Sequence, residues 1–208
     1  MGLKKTTEAV GLRRIEPRDY ARDGEGLLDQ LADPDVSTRR WAARDIADHP
    51  QLARALCDRL AQEGDVSVRE VMFTTLGQIG GTAVVQGLLP LLRSEDANLR
   101  NGAIETLAGM PNDVGPSIDL LLQDNDVDVR IFTVNLLGDL RHPRLPEWLA
   151  LVLKGDAHVN VVAAALEVTA EVGGGPLLPA VKAARTRFAD DPFIGFAADL
   201  AQQRIEAA

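Results

Sequence analysis

Aromatic residues are scarce in this chain, at 4% of 208 positions, and cysteine occurs once, as Cys57. So few aromatic side chains leave little with which to build a β-sandwich core, whereas abundant Ala and Leu suit closely packed helices. A single thiol excludes an intramolecular disulfide and a cysteine-rich zinc site, and it fits a reducing, cytoplasmic setting. Long apolar runs are missing, so no membrane span is expected. No apolar segment follows Lys4 and Lys5, so no secretory signal is expected either. Basic charge is in deficit: 22 Lys and Arg stand against 31 Asp and Glu, a formal net charge of −9. A general nucleic-acid binder carries a basic face, so nucleic acid is not an expected partner. Histidine is rare as well. His49, His142 and His158 include no two that share a helical turn, so neither a metal site nor another cofactor is expected.

The acidity is uneven. Residues 1–22 hold Lys4, Lys5, Arg13, Arg14, Arg18 and Arg22 against Glu8, Glu16 and Asp19, a local excess of +3 (6 − 3). With no sustained apolar period, this segment reads as a basic, mobile tail ahead of a folded region at 23–208. The opening MGLKKT also meets the loose N-myristoylation pattern at Gly2 and Thr6, a pattern short enough to recur by chance.

What the chain does have is a period. An Asp precedes an Arg by four residues at Asp35/Arg39, Asp65/Arg69, Asp96/Arg100 and Asp126/Arg130. The Arg residues are 30, 31 and 30 positions apart (69 − 39, 100 − 69, 130 − 100). Asp156 continues the period, with Asn160 where an Arg would stand. A fixed repeat of this length marks stacked units rather than one globular core. With each Arg as position zero, apolar or small residues recur at −1, +3 and +7, as in Val68, Met72 and Leu76 or Leu99, Ala103 and Leu107. Spacings of three and four mark one face of a helix. The preceding Asp can accept its free N–H groups and suits the positive end of its dipole. Gly or Pro then stops each helix, at His49-Pro50, Gly80-Gly81, Met110-Pro111, His142-Pro143 and Gly173 to Pro176. A second apolar helical stretch fills each interval, so the unit is helix–turn–helix. About six units fit, the last from Leu177 onward being degenerate, as a capping repeat would be.

Segments such as DPDVSTRRWAARDIA, DVSVREVMFTTLGQIG and DVDVRIFTVNLLGDL resemble HEAT repeats, in particular the short HEAT-like repeats of the phycobilisome lyases. The resemblance implies an all-α, right-handed solenoid whose second helices line the concave surface. It covers residues 25–175 well and 176–208 poorly. It leaves function open, because such repeats serve adaptors, transport factors, lyase subunits, a metal hydroxylase and DNA glycosylases. The His-Glu dipeptides that hold iron in the hydroxylase are absent: Pro50, Pro143 and Val159 follow the histidines. No phosphate loop and no nucleophile–base arrangement stands out, so no catalytic residue is assigned.

The Asp/Arg ladder reads as a stacking device, since an active site has no need of one pair in four copies. Positions +1, +2 and +5 point away from the core face. They hold Arg40, Trp41 and Arg44, then Glu70, Val71 and Thr74, then Asn101, Gly102 and Glu105, then Ile131, Phe132 and Asn135. The +2 series carries no charge. It is either packed between neighbouring helices or an exposed apolar stripe that holds a partner segment between Trp41 and Phe132. The expectation is a non-enzymatic adaptor or scaffold that binds another protein on this face. A lyase-like subunit, a regulatory module of a signalling enzyme, or a nucleic-acid-acting HEAT-like enzyme are the alternatives.

Overall fold

Each Asp of the ladder does what a helix start requires. Asp35, Asp65, Asp96 and Asp126 sit in extended backbone, and their carboxylates accept N–H groups of the following first turn. In the computed structural model, which describes residues 20–207, this device recurs through twelve α-helices with no strand among the described residues. They form six pairs: α1 (Gly24–Leu31) with α2 (Val36–Asp45), α3 (Ala53–Leu60) with α4 (Val66–Ile79), α5 (Gly81–Leu88) with α6 (Ala97–Ala108), α7 (Pro111–Leu121) with α8 (Val127–Asp139), α9 (Leu145–Gly155) with α10 (Val159–Val172), and α11 (Leu178–Arg187) with α12 (Pro192–Ala207). The second helices pack side by side in chain order from α2 to α12, and the first helices form an outer row in which α3 meets α5, α5 meets α7 and α9 meets α11. The result is an α-solenoid, in which each unit buries its apolar face against its neighbours.

Residues at −1, +3 and +7 form the core between the rows. Val68, Met72, Leu76, Ala103 and Leu107 are wholly buried, and Leu99 nearly so. Gly80 and Gly173 end α4 and α10 at φ 63° and 66°, a left-handed backbone that a β-carbon disfavours. Pro50 opens a short 3-10 turn, Pro50–Leu52, whereas Pro111 opens α7 directly. Cys57 is a core residue of α3, and burial pushes its thiol up to about 11.

The fifth repeat departs from the expected register. The residue that caps α10 is His158, which accepts the Asn160 N–H, and not Asp156, which accepts the His158 N–H from two positions upstream. Position zero therefore falls on Val162 rather than Asn160. Val161 and Val162, which a count from Asn160 would set at +1 and +2 on the open face, are wholly buried. Ala163, Ala164 and Glu167 take their places at +1, +2 and +5. In the sixth repeat Asp191 is the cap, accepting from the N–H groups of Phe193 and Ile194. Most of the basic N-terminal segment, with Gly2 and Thr6, lies outside the described residues. Of the remainder, the Ala21 carbonyl accepts from Gln30 Nε2 at 2.7 Å and Arg22 lies 3.6 Å from Asp45.

Candidate functional site: the second-helix face

The ladder arginines decide which charges reach the open face. Each reaches past its own Asp to the carbonyl six residues back. Arg39 meets the Asp33 carbonyl, Arg69 that of Glu63, Arg100 that of Ser94 and Arg130 that of Asp124, at 2.5–2.8 Å. The rest of the guanidinium then crosses to the next repeat. Arg39 takes both oxygens of Glu63 at 2.8 and 3.0 Å, Arg69 meets Asp96 at 2.7 Å, and Arg130 meets Asp156 at 2.7 Å. These bonds raise Arg39 and Arg130 above the ordinary arginine range. Burial pushes the Glu63 carboxyl up, but the bonds from Arg39, the Asp65 N–H and the Arg59 charge outweigh it and hold it below its usual value. Arg69 does the same for Asp96, more simply.

The third repeat breaks the series. Arg93 holds both Asp124 and Asp126, so Arg100 has no carboxylate. Its guanidinium lies over the Phe132 ring at 4.5 Å, and its Nε is buried without a hydrogen-bond partner.

With these arginines drawn to the loop edge, three successive grooves run across the second helices. The first, about 320 Å³ between α2 and α4, is lined by Ser37, Arg40, Trp41, Arg44 and Val71. Trp41 is 43% exposed, and the Arg44 guanidinium stacks on it at 4.3 Å. The second, about 540 Å³ between α4 and α6, sets Glu70, Phe73 and Thr74 opposite Asn101, Gly102 and Glu105. The Phe73 ring occupies the space that a side chain at position 102 would need, since a β-carbon there would lie 2.3 Å from it. The third, about 470 Å³ between α6 and α8, sets Asn101 and Glu105 opposite Asn135 and Asp139.

Eleven residues were expected on this face, and the structure divides them. Arg40, Arg44, Glu70, Thr74, Asn101, Glu105 and Asn135 are exposed and line grooves, with Trp41 beside them. Val71 lines the first groove half-buried, while Ile131 and Phe132 are half-buried and line none of the three. Two features of this face were not legible in sequence. Phe73 sits at +4, a core position by spacing. Glu167 and Glu171 of α10 enter the +5 and +9 series only after the two-residue correction. The histidines are dispersed: His142 stacks on Trp148 with centroids 4.7 Å apart, His158 caps α10, and His49 faces Gln51. Among the described residues no three metal-binding side chains converge.

The family model for HEAT repeats matches residues 24–108. The match spans α1 to α6, and the later pairs continue the same stacking. No curated protein sequence matches the chain. Among solved structures, the chain is similar to one from a study of microtubule plus-end tracking by XMAP215, CLIP-170 and EB1. The identity is 15%, the match covers 86% of this chain and 89% of that one, and the TM-score is 0.54. It is also similar to an engineered protein at 18% identity, covering 88% of this chain and 96% of that one with a TM-score of 0.42. A third match comes from the complex of CpcE and CpcF of phycocyanin lyase from Nostoc sp. PCC7120, at 16% identity, 95% and 99% coverage and a TM-score of 0.39. The first of these likenesses supports the HEAT-type solenoid fold; none bears on activity. Among the described residues no helix is long and apolar enough to cross a membrane.

Proposed function

We propose that this chain is a non-enzymatic adaptor of the cytoplasm that holds a segment of another protein along its second-helix face. The supporting observation is the run of three grooves with apolar side chains below, Trp41 and Val71 in the first, Phe73 in the second and Ile104 in the third, and charged or amide side chains above. An apolar floor with a polar rim is how grooves hold helices or extended tails. Trp41 is the apolar anchor at the first repeat, flanked by Arg40 and Arg44 as charge contacts. Phe132, covered by the Arg100 guanidinium, lines none of the grooves and is left out of this reading.

A photo-crosslinking residue at Asn101 in native cells tests this, with the same residue at Gln86 on the outer row as comparison. A discrete protein adduct from position 101 and none from position 86 is expected. Equal adducts from both, or adducts from position 86 alone, would place binding elsewhere.

A further inference from the structure

The occupant of this face can be narrowed by charge. On α4, α6, α8 and α10 the basic residues are Arg69, Arg100 and Arg130 alone. Arg69, which also lines the second groove, and Arg130 are tied to carbonyls and carboxylates of the loop edge, and Arg100 to a carbonyl and the Phe132 ring. Toward solvent the same helices present Glu70, Glu105, Asp128, Asp139, Glu167 and Glu171, all exposed and none in an ion pair among the described residues. At the loop edges and on the first helices several acids are neutralised. Glu63 is shared by Arg39 and Arg59, Asp124 is held by Arg93, and Asp119 by Arg144. On the open face Glu70 and Glu105 flank the groove whose apolar floor is Phe73 and Gly102, and Asp139 lines the next one.

Resting on the adaptor reading above, we infer that the partner segment is basic and extended, with Lys or Arg alternating with apolar residues. A cationic side chain set between Glu70 and Glu105 has a carboxylate on each wall, while its apolar neighbour meets Phe73. Four adjacent helices span about 30 Å from α4 to α10 at roughly 10 Å each, a length that about nine extended residues cover. Opposite potentials also speed encounter and discriminate against acidic competitors.

Two nine-residue fluorescent peptides provide the probe, one alternating Lys with Leu and one alternating Glu with Leu, read by anisotropy at low and moderate salt. The Lys–Leu peptide should bind, more weakly as salt rises, and the Glu–Leu peptide should not. The triple variant Glu70→Gln, Glu105→Gln, Asp139→Asn should weaken binding by about tenfold, from a few tenths of a kcal/mol per exposed contact. The control triple Asp29→Asn, Glu95→Gln, Asp190→Asn changes net charge equally, away from the face, and should weaken it by less than about twofold. All six side chains are exposed, so both variants should keep the parent melt. Equal weakening by the two triples, or binding of the Glu–Leu peptide, would overturn the inference.

Sequencing the partner peptide crosslinked from position 101 separates this inference from the reading beneath it. A basic segment supports both. A non-basic partner segment overturns the basic occupant and leaves the adaptor role standing. An adduct with the chain's own residues 1–22 overturns the external partner. No protein adduct from position 101 overturns both.

Discussion

At the scale of single residues, Glu63 carries more of this fold than any ladder Asp. Its side chain is 2% exposed and accepts from Arg39, Arg59 and the Asp65 N–H. Glu63→Ala would strand two guanidinium groups, and it should cost about 3–5 kcal/mol in a urea titration, the range for breaking a buried pair on one side. Arg100→Met should cost less than about 1 kcal/mol, because Arg100 gives up one carbonyl bond and already has an unpaired Nε. A loss for Arg100→Met as large as that for Glu63→Ala would mean that the lateral contacts are not what the carboxylates supply. The same groups set the acid limit. Glu63, Asp65, Asp96, Asp119 and Asp124 are all held below their ordinary values: the Ser67 hydroxyl does this for Asp65, Arg69 and Arg144 for Asp96 and Asp119, and at Glu63 and Asp124 burial pushes the other way but is outweighed by bonds from Arg and N–H donors. A lowered folded pKa gives stability that is present in full above the ordinary carboxylate range and lost as pH falls through the folded values. The melting temperature should hold steady from pH 7 to about 5 and fall steeply below about 4. A melt that is flat to pH 3 would contradict this.

At the scale of elements, the close approach of α4 to α6 depends on one missing side chain. Gly102 lies inside α6, where Ala would ordinarily stabilise a helix by up to about 1 kcal/mol. Here a β-carbon would meet Phe73 ring carbons at 2.3–2.7 Å. Overpacking of this kind costs about 1–3 kcal/mol. Gly102→Ala should therefore lower the urea midpoint despite the better propensity, and it should also narrow the second groove. A raised midpoint would show that Phe73 swings aside freely. The 2.4 Å approach of Cys57 Sγ to the missing β-carbon of Gly87 repeats the device in the outer row.

For the whole molecule, the C-terminal pair acts as a lid on α10. α12 buries Ile194, Ala197, Ala198, Ala201 and Ile205, and it packs along α10. Its outer side leaves Phe193, Phe196 and Leu200 exposed, as befits a helix with no further repeat beside it among the described residues. Ending the chain after Asp191 would expose buried Val162 and Leu166 on α10. Such a truncation should lower the melting temperature by roughly 10 °C or more, at about 2–4 °C per kcal/mol for a chain of this size. Repeat stability is a sum of neighbour terms, so α2 to α6 should stay folded at temperatures where α10 has melted. Hydrogen exchange resolved by segment would detect that order, and uniform loss along the chain would refute it.

The features that could be read from the residue order alone were local or periodic. The Asp caps, the glycine stops, the helical core positions and the count of six pairs all follow from spacings of a few residues, which backbone geometry reads directly. The tertiary structure decided everything that spans repeats. Glu63 partners Arg39 from 24 positions away, and nothing within one helix marks it. Arg100 lost its carboxylate because Arg93, in the outer half of its own repeat, reached Asp124 and Asp126 first. Asp156 kept the sequence period, but a cap is chosen by where the first turn's N–H groups point, and those met His158. Phe132 and Trp41 share a position in the repeat, yet one lies half-buried beneath the Arg100 guanidinium and the other is 43% exposed. Periodicity fixes which way a side chain leaves its helix. How much of that side chain meets water depends on the neighbouring repeat.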